Sequence, residues 1–141
     1  MKTLNFFFSL LICLFFYCCK KNDTQDYVPN VYVDIYMSAS QPSFSNLNTV
    51  TGWAYITGGA RGIIVYRKSI TDFMAYDRNC AYQSSNSCAI VSVDSTNLII
   101  EDACCGSKFI ITDGSVNKGP ATLPLKSYQT TFDGNTLHIF N

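Results

Sequence analysis

From residue 31 onward, apolar residues come in short runs, each closed by a turn-forming cluster. No stretch places apolar residues at i, i+3, i+4 and i+7 over three turns, so a helical core has no support. Val31, Val33 and Ile35 alternate with Tyr32, Asp34 and Tyr36. A loop with Pro42 follows over 38–48. Then come Gly52–Ile56, Ile63–Tyr66, Phe73–Tyr76, Ile90–Val93, Leu98–Ile100, Phe109–Ile111, Tyr128–Phe132 and Thr136–Phe140. The turn Asp94–Asn97 joins one pair of runs into a hairpin, and Asp133-Gly134-Asn135 joins the last pair. Strands at this spacing with short turns predict an all-β chain, an antiparallel sandwich or small barrel. Gly58–Gly62 lacks the Gly-Lys-Ser/Thr ending of a phosphate loop and precedes no helix, so it reads as a turn.

The first thirty residues have a different character. Lys2 precedes an apolar stretch, Phe6–Phe16, interrupted only by Ser9, and Lys20-Lys21-Asn22-Asp23 stops it. The stretch is short for a membrane span and fits the apolar region of a signal peptide. Cysteines then stand where small residues usually mark cleavage. A cysteine after an apolar stretch and before a polar segment resembles the lipobox of bacterial lipoproteins, in which that cysteine becomes the acylated first mature residue. Cys19 is the favoured lipidation site. Cys18 is the alternative, although bulky Tyr17 precedes it, and Cys13 lies too deep in the apolar stretch. The expected organisation is a lipoprotein signal peptide over 1–18, a polar tether over 19–30 and one β domain over 31–141. Export would place the chain in the periplasm or on the outer membrane. Lysines after Cys19 give no signal for inner-membrane retention, so the outer membrane is preferred.

Charge excludes one class of partner. Ten Lys and Arg balance ten Asp and Glu, and no basic run extends beyond Lys20-Lys21, so nucleic-acid binding is not expected. The expected partners are the membrane, through the lipid anchor, and a protein that the sequence does not identify. No nucleophile elbow or acid/base pair emerges, and Asp113-Gly114 reads as a turn, so no catalytic residue is assigned. His138 alternates with apolar neighbours as an outward-facing strand residue. Trp53 and the tyrosines read as sheet packing.

After Cys19 four cysteines remain, Cys80, Cys88, Cys104 and Cys105. An even number in an exported chain favours disulfides. A zinc site using all four is the weaker reading, because C-x-x-C pairs are absent.

One set of spacings goes further. Ile63-Ile64-Val65-Tyr66-Arg67 is followed by Phe73-Met74-Ala75-Tyr76-Asp77-Arg78-Asn79-Cys80-Ala81-Tyr82. Later come Cys105-Gly106-Ser107-Lys108-Phe109, then Thr112-Asp113-Gly114, Gly119-Pro120-Ala121-Thr122-Leu123-Pro124-Leu125 and Tyr128. Over roughly 62–139 this resembles a Rieske iron–sulfur domain, with its C-x-x-H-G-x-x-F ligand loop, Gly turn and G-P-A-x-x-P-L loop. The resemblance implies antiparallel β-structure with two cysteine-containing loops at one end, the Gly119–Leu125 segment approaching the same end. A Rieske [2Fe–2S] centre takes two cysteines and two histidines. In this register Cys80 falls on a cysteine position, Tyr82 and Cys105 on the histidine positions and Asp102 on the other cysteine position. The expectation is therefore a Rieske-like fold without its cluster and without a metal, serving as a non-catalytic binding or assembly module. The alternative is an electron-transfer protein whose 2Fe-2S cluster is held by Cys80, Tyr82, Asp102 and Cys105. Respiratory-chain Rieske subunits carry a disulfide between the two loops, and Cys88 and Cys104 fall near its positions. The resemblance thus implies Cys88–Cys104, with Cys80–Cys105 as the second bridge. The swapped pairing, Cys80–Cys104 with Cys88–Cys105, stays open.

Overall fold

Ile63-Ile64-Val65-Tyr66 is buried without a break, which sets the architecture. Alternate side chains of a strand face opposite ways, so a strand buried on both faces must lie between two cores. Ile63 and Val65 join one core, with Val33, Met37, Leu47, Phe73, Ala75, Leu137 and Ile139. Ile64 and Tyr66 join the other, with Tyr76, Cys80, Val91, Ile100, Phe109, Ile111 and Leu125.

The computed structural model describes residues 27–141. In chain order its strands are β1 (Asp34–Ser38), β2 (Trp53–Ile56), β3 (Ile63–Arg67), β4 (Phe73–Asp77), β5 (Val91–Val93), β6 (Ile99–Asp102), β7 (Lys108–Ile110), β8 (Val116–Lys118), β9 (Ser127–Phe132) and β10 (Thr136–Phe140). They form a six-stranded sheet, β1-β10-β9-β4-β3-β2, and a four-stranded sheet, β5-β6-β7-β8. All strand pairs are antiparallel. The hairpin turns at 94–97 and 133–135 lie where the sequence places them.

Three features differ from the sequence reading. The segment Pro42–Asn48, expected as loop, is a 3-10 helix that buries Leu47 against the first core. The strand β8 has no counterpart among the expected runs. Residues 27–30, expected to end a tether, are fastened to the domain: the Ser84 hydroxyl donates to the Tyr27 carbonyl at 3.1 Å. The Lys126 ammonium donates to the Pro29 carbonyl at 2.8 Å and to Asn30 Oδ1 at 3.1 Å. The signal peptide, Cys13, Cys18 and Cys19, and tether residues up to Asp26 lie outside the described residues. Among the described residues, no helix is long and apolar enough to cross a membrane.

Candidate functional site: the cysteine loops

β4 ends at Asp77, and the chain then forms the first cysteine loop before β5. Cys80 N–H donates to the Ala89 carbonyl at 3.1 Å, closing that loop on itself. Arg61 supports it from outside, donating to the carbonyls of Ser87 at 2.7 Å and Ser84 at 3.4 Å. The second loop is the tight connection between β6 and β7. There Gly106 adopts φ +78°, and its N–H donates to the Asp102 carbonyl at 2.7 Å. This left-handed conformation is nearly free of cost for glycine and unfavourable for other residues.

Cys88 and Cys104 are disulfide-bonded, with Cα atoms 5.7 Å apart, so the two loops are joined covalently. The Gly119–Leu125 segment reaches the same place. Ala121 N–H donates to the buried Ser107 Oγ at 2.9 Å, and Ala121 and Leu125 pack in the core that holds Cys80. Both expectations about the end of the molecule are met. The expected Cys80–Cys105 bridge is not formed, and neither is the swapped pairing: Cys80 and Cys105 are free thiols. The four-cysteine zinc set is likewise broken, since two of its members are consumed in the disulfide.

The two thiols nevertheless converge. Cys80 Sγ, Cys105 Sγ and a carboxylate oxygen of Asp102 all lie within 4.8 Å of one another. Cys80 and Asp102 are fully buried, whereas Cys105 is half-buried. Burial pushes the Cys80 thiol well above its usual range, and Asp102 adds to the rise, against an opposing backbone hydrogen bond at Tyr82. Asp102 Oδ1 accepts the N–H groups of Cys104 at 2.7 Å and Cys105 at 3.4 Å. Its Oδ2 is buried without a hydrogen-bond partner. Cys105 Sγ donates to Ser107 Oγ at 3.0 Å. Tyr82 is half-buried against the second core.

Beside these loops opens an apolar cleft of about 400 Å³ lined by Tyr27, Val28, Ala81 and Leu123–Ser127. Sequence reasoning missed it, because Tyr27 and Val28 read as tether. Their signal was the pair of apolar residues at the end of an otherwise polar segment.

No protein-family model and no curated protein matches the chain. Among solved structures, it is similar to the cyanobacterial plasma membrane Rieske protein PetC3 from Synechocystis PCC 6803. The identity is 22% and the TM-score 0.57, over 76% of this chain and 99% of that one. The fold is Rieske-like. A chain from the complex of reduced oxygenase and oxidized ferredoxin in carbazole 1,9a-dioxygenase is also similar, with 17% identity and a TM-score of 0.48 over 79% of this chain and 94% of that one.

In a Rieske-like fold the two loops are the place of a [2Fe–2S] centre, whose outer iron takes two imidazoles. The sequence holds one histidine. It lies in β10, outside both loops, 2.7 Å from Asp34 Oδ1 and stacked between Tyr36 and Phe140. The donors that converge at the loops are two sulfurs and a carboxylate oxygen within 4.8 Å of one another, with no imidazole among them.

Proposed function

We propose that this chain is an exported, lipid-anchored protein whose Rieske-like domain works without a [2Fe–2S] cluster, as a non-catalytic binding or assembly module. The observation that carries this reading is the replacement at the loops. The donor set that converges there is two sulfurs and a carboxylate oxygen, without imidazole. The apolar cleft beside the loops offers a surface for a partner, with Lys126 at its edge. Mature chain acylated at Cys19 would be held at the membrane, and stable attachment takes two acyl chains or more.

The experiment is anaerobic purification of the full chain, followed by iron and acid-labile sulfide analysis and visible absorption. A colourless protein without iron is expected. Two irons per chain with a visible charge-transfer band would replace this reading with the electron-transfer alternative.

A further inference from the structure

Asp102 raises a question that the binding-module reading leaves unanswered. Its side chain is fully buried, and Oδ2 has no hydrogen-bond partner of ordinary geometry; the one polar side chain that the carboxyl engages nearby is the Cys80 thiol, which it helps to keep protonated. Buried polar atoms are nearly always paired, because an unpaired one forfeits its hydration without compensation. An orphaned carboxylate oxygen beside two free thiols is a set of donors awaiting an acceptor.

We infer that Cys80, Cys105 and Asp102 form a mononuclear site for a soft or borderline divalent cation of the zinc type. Three arguments select that ion. Thiolate donors disfavour hard ions such as magnesium and calcium, which prefer all-oxygen sites. Tetrahedral zinc holds its sulfur ligands at about 2.3 Å, which puts two such sulfurs about 3.8 Å apart. The three donor atoms already lie within 4.8 Å of one another, so closing on an ion requires about 1 Å of movement or less. Finally, three protein donors leave the fourth position of a tetrahedron for water or an incoming ligand, and half-buried Cys105 provides the approach.

The surroundings prepare the ligands. The N–H groups of Cys104 and Cys105 occupy Asp102 Oδ1 and leave Oδ2 to the ion. Ser107 Oγ, fixed by Ala121 N–H, contacts Cys105 Sγ. When Cys105 loses its proton this contact reverses, the Ser107 hydroxyl donating to the thiolate, and so makes Ser107 a positioning residue. Binding converts two thiols to thiolates and releases two protons to solvent. No electron is transferred.

The inference rests on the cluster-free reading only in requiring these donors to be available. The test is titration of iron-free, reduced full chain with Co²⁺, read by its visible tetrahedral bands and its sulfur-to-cobalt charge transfer. Saturation at one ion per chain and displacement by Zn²⁺ are expected, as is protection of Cys105 from alkylation by Zn²⁺. Asp102→Asn should weaken binding at least about tenfold, Ser107→Ala by about tenfold, and Cys105→Ser should remove most of the charge-transfer intensity. Unchanged alkylation with Zn²⁺ would overturn the site, as would bands that persist when both Cys80 and Cys105 are serine. Full affinity in Asp102→Asn would remove the carboxylate from it. Iron with acid-labile sulfide in the protein as purified defeats both readings; iron-free protein that takes neither Co²⁺ nor Zn²⁺ defeats this one alone.

Discussion

Asp77 holds three segments with one carboxylate. Its Oδ2 accepts Ala60 N–H at 2.6 Å and the Tyr128 hydroxyl at 2.7 Å, while Oδ1 accepts Asn79 N–H at 2.8 Å. The glycine turn, β9 and the start of the first cysteine loop therefore meet on a fully buried side chain. Gly59 is required beside it, because a Cβ there would fall on Asp77 Oδ2 and the Tyr128 oxygen, and its φ is +62°. Asp77→Ala strands two buried donors and one part-buried donor and should lower stability by about 3 kcal/mol, with Asp77→Asn milder. Urea unfolding measures this, and a loss below about 1 kcal/mol would show that the carboxylate is not the junction. None of this was legible in the sequence, where Asp77 stood only as one member of the Phe73–Tyr82 run. A buried carboxylate declares itself through partners that are distant along the chain.

The free thiols make a second prediction at this scale. Cys80 is buried and its thiol is pushed up, so little thiolate exists near neutral pH. Half-buried Cys105 is accessible. Alkylation of the native, metal-free protein with peptide mapping should label Cys105 first, Cys80 only on unfolding, and Cys88 and Cys104 only after reduction. Early labelling of Cys80 would show that the first loop opens more readily than its packing implies.

Among the elements, those with a strong pattern were readable. β3 and β4 carry continuous apolar runs, and the β9–β10 hairpin has its Asp-Gly-Asn turn. β8 was not readable, because Val116–Lys118 is short and two of its three residues are exposed. Its place is fixed by pairing with β7, a long-range contact that leaves no local trace. The helix at Pro42–Asn48 is missed for a related reason: only Leu47 is buried in it, so it has no periodicity. The loops fared better, since the spacing of Gly106, Phe109 and Gly114 fixed the register in which Asp102 joins the cysteines. Their covalent link closes a segment between residues 16 apart in sequence. A loop of that size gives about 3 kcal/mol in chain-entropy terms. Replacing Cys88 and Cys104 together by alanine should cost about that much, read as a lower urea midpoint, and should speed amide exchange over 83–89 most. Uniform exchange across the domain would show that the bridge does not brace the loops.

For the whole molecule the first expectation is chemical. Mass spectrometry of the mature N-terminus should find an acylated cysteine at 19, or at 18 as the alternative; an unmodified full-length protein in the cytoplasm would end the lipoprotein reading. On that reading, the fastening of Tyr27 to Ser84 has a consequence for orientation. Only Lys20–Asp26 separates the acylated residue from Tyr27, a span of at most about 28 Å even if drawn straight. The leash leaves from beside the first cysteine loop, and the Asp133–Asn135 turn lies at the opposite end of β9. The domain would therefore hang with its sulfur-bearing tip toward the lipid headgroups, and a paramagnetic headgroup probe should broaden the amide signals of 83–87 before those of 133–135. Anchored in that way, the domain would offer the tip to whatever travels along the bilayer surface rather than to what arrives from open solvent.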